Sequence, residues 1–501
     1  MPQVTLDTLP LNVADVLAVA RAQAKVSIAP KSAQAMASAR KGVDAALRDG
    51  LAHYGLNTGF GSLARTRIAG DQLRALQRNL VRSHAAGVGE PLATEVVRGT
   101  MLILAASLCR GLSGVRPVVV QTIVAFLNAG LTPVVPEVGS VGASGDLAPL
   151  AHIALALIGD GEVFVGDSRK PISAAKALAG AKIESLVLEA KEGLALINGT
   201  HLMAARAALA MADFDALFTA ALAAAAMSID ACRATDAFLD PRAAAARNHP
   251  GVAFVASSIR TLLKGSTIIP SHREDDPRVQ DPYSLRCMPQ VLGAAHDAAE
   301  FVRASVAFEL GAVTDNPLVM KNGDLVSAGN FHGMPIAIPL DTLAIAVAHV
   351  AGISERRTFL LLAAADPEAH LRPYLSPHPG VCSGLMIAQY TAAACCNEII
   401  GLANPASVVN LSTSAGMEDY NSFGPRSAAK VARALELATN VVAIELLCAA
   451  QALEYHRPLR SGKGVEKAFA AVRSVVPPLT DDRPPSPDIA AIAGLIRSGA
   501  F

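Results

Sequence analysis

Three stretches of this chain, 204–231, 341–361 and 428–454, are rich in alanine and leucine and carry few charges. In each, apolar residues recur at three- and four-residue spacing, the period of an α-helix. A helix that is apolar around most of its circumference must be buried over most of it. Three such helices predict a mainly α fold: a long central helical bundle with apolar surface left for neighbouring subunits. The run ALFTAALAAAAMSI at 216–229 has fourteen residues. A bilayer span needs about 20, so the run reads as a core helix and no membrane partner is expected.

The remaining signals are weaker. VFVGD (163–167) and LVLEA (186–190) are strand candidates, giving minor short β elements near the N-terminal part. The stretch VVPPLTDDRPPSPD (475–488) reads as an extended connector before a last short helix. With no other linker and no repeat, the expectation is a single continuous domain over 1–501. Lysine plus arginine equals aspartate plus glutamate at 43 each. That balance lacks the basic excess a nucleic-acid surface needs, so no nucleic-acid partner is expected. The apolar share of 52% exceeds the usual 45–50% or so and fits a large interior plus subunit interfaces. Seven scattered cysteines, without a Cys-x-x-Cys, suggest reduced thiols in a cytoplasmic protein. The start, MPQVTLDTLP, has acid and proline where a signal peptide has basic then apolar residues. The histidines form no metal-binding pair such as His-x-x-x-His, so no metal is expected.

One short stretch asks for a chemical explanation. GSVGASGDLAPLAHIA (139–154) packs three glycines and two serines into its first seven residues, ahead of an apolar helix. A phosphate loop would need Gly-x-x-x-x-Gly-Lys, and no lysine lies between Leu131 and Gly166, so no nucleotide is expected. An esterase elbow would need Gly-x-Ser-x-Gly, and here one residue is missing after Ser144. A bland reading remains, with Asp146 as a helix cap and Pro149 in the first turn. A fourth reading is that the backbone reacts. The Gly145 nitrogen can close on the Ala143 carbonyl with loss of water, and loss of a second water from Ser144 leaves an exocyclic alkene. Glycine permits the dihedrals this needs.

The same sixteen residues resemble the signature of the histidine and aromatic amino-acid ammonia-lyases. Further motifs are similar to that family in the same order: YGLNTGFG (54–61), RSHAAGVGEP (82–91), EGLALINGT (192–200), QDPYSLRCMPQ (280–290), VTDNPL (313–318), GNFHG (329–333) and SGLMIAQ (383–389). The resemblance implies a methylidene-imidazolone (MIO) group formed from Ala143, Ser144 and Gly145. It also implies elimination of ammonia from an α-amino acid, and a homotetramer whose active sites are shared between subunits.

That reaction has two obstacles, a poor leaving group and a weakly acidic β-hydrogen. Attack on the alkene by the substrate amine improves the leaving group; attack by the substrate ring is the alternative. Tyr54 matches the family's catalytic tyrosine, and its pKa of about 10 must fall for it to act as base near neutrality. Tyr283 is a second catalytic tyrosine or shapes the site. Arg286 matches the carboxylate binder, a role that suits a two-pronged guanidinium. Asn198 can donate to the MIO oxygen or hold the substrate amine. Gln280 hydrogen-bonds in the same pocket, and Phe331 is a wall beside the MIO.

His84 matches the position that meets the far end of the substrate, and SHAAG resembles the histidine lyases. Glu418 matches a second histidine-lyase feature, a carboxylate able to accept from an imidazole N–H. The expected substrate is therefore L-histidine, giving urocanate, with tyrosine or phenylalanine next and a 2,3-aminomutase third. Asn421-Ser422 departs from this, looking more like the phenylalanine and tyrosine lyases, and His201 is also unexpected. Outside the family, a hydrolase using Ser144 with His152 and Asp146, or an inactive scaffold, completes the alternatives.

Overall fold

The computed structural model describes residues 3–274 and 276–501. Its longest helices are those the periodicity predicts, each starting a few residues earlier: His201–Ala231, Met334–Ala363 and Gly424–Glu454. Two of them, His201–Ala231 and Met334–Ala363, could cross a membrane by length and composition alone. However, 72% and 67% of their most apolar portions lie buried inside the protein, as in core helices. The last helix, Pro485–Arg497, begins inside the expected connector, because proline is well suited to a first helical turn.

The strands are short. Gln3–Leu6 pairs in parallel with Lys25–Ile28, and Val88–Pro91 pairs antiparallel with Pro136–Val138. Glu162–Val165 lies between Leu131–Pro133 and Ile172–Ser173, and so fulfils the VFVGD expectation. The LVLEA expectation fails: residues 186–190 form no strand. Leu186 and Leu188 are buried and Val187 is exposed, which produces the strand-like alternation. But the backbone there is met by side chains, with Arg116 donating to the Val187 carbonyl and Glu192 accepting from the Glu189 N–H.

The chain divides into two compact units. The first comprises Met1–Leu209, Arg303–Leu340 and Pro405–Ala429. It holds every strand among the described residues. The second comprises Ala210–Val302, Asp341–Asn404 and Lys430–Phe501, and is helical. Its core contains a charged pair. Arg357 and Glu445 are both fully buried and meet in a two-pronged contact at 2.5 and 2.8 Å. Ser228 donates to the same carboxylate at 2.7 Å, tying in the helix His201–Ala231.

Candidate active site

The glycine-serine stretch is a loop in the first unit, between the strand Pro136–Val138 and the helix Leu147–Leu157. It is folded tightly on itself: Ser140 Oγ donates to the Gly145 carbonyl and accepts from the Gly142 N–H. Gly142 and Gly145 have φ of +70° and +72°, values that favour glycine. Space gives a second reason. A Cβ on Gly145 would lie 2.2 Å from the Gly199 carbonyl oxygen, and one on Gly142 would lie 2.1 Å from Ser422 Oγ.

Two other segments grip this loop. On one side the INGT segment answers it, with Asp146 N–H donating to the Gly199 carbonyl at 2.7 Å. Gly199 N–H and Asn198 Nδ2 both donate to the Ser144 carbonyl, each at 3.4 Å. On the other side Ser422 Oγ and Gly333 N–H donate to the Gly142 carbonyl, and Phe423 N–H donates to that of Val141. Thus GNFHG and the Asn-Ser pair both serve to hold the loop. Asn421 is fully buried, accepts nothing from the cavity, and donates to the Leu411 carbonyl. At Ser422 the departure is therefore scaffolding, whereas the side-chain oxygen of Asn421 is buried without a partner.

Asp146 stands at the position expected for a cap, but its side chain does not serve its own helix. Its carboxylate accepts from Leu202 N–H and Met203 N–H, both at 3.0 Å, at the start of His201–Ala231. Full burial pushes its pKa up to about 7. His152 is likewise occupied, accepting from the Gly87 N–H at 3.1 Å. With Asp146 and His152 engaged elsewhere, the hydrolase relay on Ser144 is excluded.

A cavity of about 660 Å³ opens beside the loop, and it brings together Tyr54, His84, Ser144, Asn198 and Glu418. Its other walls include Phe60, Leu76, Leu80 and Leu194. Ser144 Oγ donates to Glu418 Oε1 at 3.1 Å, and Thr413 Oγ donates to the same carboxylate at 3.4 Å. The Asn198 carbonyl oxygen is buried without a partner. Tyr54 departs from expectation. Burial pushes its phenol above the usual 10, the Gly61 N–H opposes this, and Glu418 adds to it. Burial lowers the pKa of His84, with the Leu80 carbonyl and Glu418 opposing.

Besides Ala143 and Gly145 in the loop itself, four predicted residues do not line this cavity. Phe331 is half-buried in the turn before Met334–Ala363. Gln280, Tyr283 and Arg286 belong to the second unit. Tyr283 is 68% exposed, and the Arg286 guanidinium lies 5.0 Å from the centre of its ring. Gln280 is also exposed.

The profile of the family described as aromatic amino acid lyase matches residues 11–474. The chain belongs to that family. It is thereby a carbon–nitrogen lyase by descent. A histidine ammonia-lyase of Anaeromyxobacter sp. (strain K) is 46% identical over the whole of both chains. One of Symbiobacterium thermophilum is 48% identical over 98% of this chain and 96% of its own. Among solved structures, histidine ammonia-lyase from Trypanosoma cruzi is 39% identical, with a TM-score of 0.92, over 99% of this chain and 94% of its own. The tyrosine aminomutase of Streptomyces globisporus has a TM-score of 0.93 at 32% identity, over 100% and 97%. Both the family and the mainly α fold agree with the expectation from sequence.

Several residues of this lyase site were not singled out from sequence. Ser140 and Thr413 are small hydroxyls whose partners are backbone or carboxylate atoms, and nothing local marks them. Asn316, in the VTDNPL motif, serves the backbone: its side-chain oxygen accepts from the Ala328 N–H at 2.7 Å.

Proposed function

We propose that this lyase eliminates ammonia from L-histidine to give urocanate, through an MIO group formed from Ala143, Ser144 and Gly145. The observation that carries the substrate assignment is the presence of His84 and Glu418 in the same cavity as Ser144, Tyr54 and Asn198. A phenyl ring offers neither group a hydrogen-bond partner, and a buried acceptor left unmet costs about 1–3 kcal/mol. The names of the relatives at 46–48% identity support the same reading. The aminomutase neighbour matches the backbone equally well, so the choice rests on the side chains.

The residues present fit the prosthetic group. Gly145 already has the left-handed conformation and the close neighbour that exclude any other residue. The Ser144 carbonyl faces two N–H donors. Once formed, the group supplies an electron-poor alkene that turns the substrate nitrogen into a better leaving group. In this reading the buried Asn198 oxygen receives the substrate ammonium. Tyr54 takes the β-proton, and because its phenol sits above 10 in the free chain, the nearby ammonium must bring it down. Tyr283, exposed, and Arg286, half-buried beside it, are supplied to the site by a neighbouring subunit of a cytoplasmic homotetramer, with Arg286 gripping the carboxylate. Gln280 goes with them. Phe331 is kept as a wall.

The test is incubation with histidine, tyrosine and phenylalanine separately, following the absorbance of each conjugated acid. Turnover of tyrosine without histidine overturns the substrate. An intact mass equal to the encoded chain, instead of two waters less, overturns the prosthetic group.

A further inference from the structure

The hydrogen bonds behind His84 decide which kind of ring edge this cavity accepts. His84 ends the helix Leu73–His84, and its Nδ1 lies 3.1 Å from Ser83 Oγ. Ser83 Oγ in turn donates to the Leu80 carbonyl at 3.1 Å, the back-bonding common for serine in a helix. A hydroxyl has one hydrogen, and a carbonyl can only accept. Once the Ser83 hydrogen is committed to Leu80, only lone pairs face Nδ1. The imidazole must then bring the hydrogen itself. A neutral imidazole has one N–H, so its Nε2 is left as an acceptor.

We infer that Ser83 and the Leu80 carbonyl hold His84 with its proton on Nδ1, making the far end of the cavity a receptor for hydrogen-bond donors only. This deepens the histidine-lyase reading and rests on it. The groups that face the ring are consistent. The Glu418 carboxylate in the same cavity is a second acceptor, and burial keeps His84 neutral near pH 7. A substrate ring with an N–H at its far edge satisfies an acceptor there. A ring of the same shape without an N–H leaves Nε2 unmet, and its own lone pair then faces that of Nε2. Ser83 is thus a positioning residue for specificity, acting through His84.

Two ligands of one shape separate these cases: 3-pyrazolyl-L-alanine, whose ring has an N–H, and 3-(4-thiazolyl)-L-alanine, whose ring has none. Their dissociation constants are measured by calorimetry on the full-length protein. In the wild type the pyrazole binds tighter by about tenfold or more, the penalty for one unmet buried acceptor. Ser83→Ala leaves Nδ1 with the Leu80 carbonyl as its acceptor, loosens the hold on that proton, and brings the two ligands to within about threefold. Ser83→Thr keeps the hydroxyl and restores the wild-type ratio. Nitrogen-15 spectra of histidine-labelled protein, with the His84 signal identified by its loss in His84→Phe, show a protonated Nδ1. A protonated Nε2 in the wild type overturns the inference, as does an unchanged ratio in Ser83→Ala. Failure of the wild type to make a conjugated acid from histidine is a different result and defeats the underlying reading instead.

Discussion

The loop 139–146 and the turn 283–286 carry the two halves of the proposed chemistry, and they are built in opposite ways. The loop is gripped by backbone groups of 199, 333 and 423 and by the side chains of Asn198 and Ser422, all within its own unit. In the turn Tyr283 is exposed, with the half-buried Arg286 guanidinium over its ring. What supports it lies underneath. Nη1 of the buried Arg357 points to the Ser284 carbonyl at 3.5 Å, while the rest of that guanidinium is locked to Glu445. A group made from the backbone needs its atoms compressed before any substrate arrives, and so needs a closed frame. A residue that grips a substrate carboxylate needs its charged end free, and so is braced from behind.

The comparison breaks most sharply at the loop. Ser144→Ala removes the hydroxyl that must leave as water, so turnover is abolished. Intact mass shows no more than one water lost instead of two. The frame should survive, because Asp146 and Gly145 keep their contacts with 199 and 202–203. Circular dichroism and melting unchanged from wild type check that point. A variant that still loses two waters would remove Ser144 from the chemistry.

The brace is the next largest effect, and it appears first as stability. Arg357→Met leaves Glu445 buried and uncompensated, which costs about 3–5 kcal/mol. Replacing both, as Arg357→Met with Glu445→Leu, removes both charges and recovers most of that loss. The double variant still lacks the arm to Ser284. Its KM should rise several-fold with kcat changed less, because Arg286 is mispositioned while the loop is intact. Wild-type KM in a stable double variant would show that the pair supports the fold alone.

The loop could be read from sequence because its requirement is local. Ala-Ser-Gly alone is common, but the sixteen residues around it resemble the family's signature, and flanking motifs repeat the same message. The long helices were legible for the same reason, since each announces itself by its own period. What stayed hidden acts at a distance. Arg357 reads as one of several charges near a helix end, and its partner is 88 residues away. Asp146 occupies a cap position, yet serves the helix that begins 55 residues later at His201. Residues 186–190 alternate like a strand because one side is buried, although side chains of Arg116 and Glu192 meet their backbone.

A milder break falls on the tightness of the loop. Gly142→Ala puts a methyl 2.1 Å from Ser422 Oγ and requires φ of +70° from an alanine. The left-handed conformation alone costs about 1–2 kcal/mol. We expect thermal melting to fall by that much or more, and the loss of two waters to slow during expression. Adding Ser422→Gly removes the clash and leaves only the backbone cost, so partial recovery in the pair separates the two causes. Full recovery would show that the backbone conformation is not under strain.

The smallest effect is nearly silent at neutral pH. His201, the first residue of the helix behind the loop, is buried with neither ring nitrogen partnered. Burial, with Arg110 adding to it, pushes its pKa down to about 3. In the unfolded chain the ring titrates near 6.5. Between those values the unfolded state binds more protons than the folded one, so stability falls as pH drops from about 6.5 toward 3. Asp146 works with the opposite sign. Its raised pKa means that stability falls as pH rises from about 4 to about 7. His201→Gln removes only the first contribution. Its melting temperature should match wild type at pH 7.5 within a few degrees and hold up better below pH 5. Parallel curves for the two proteins across that range would mean that the imidazole already has a proton partner inside the fold.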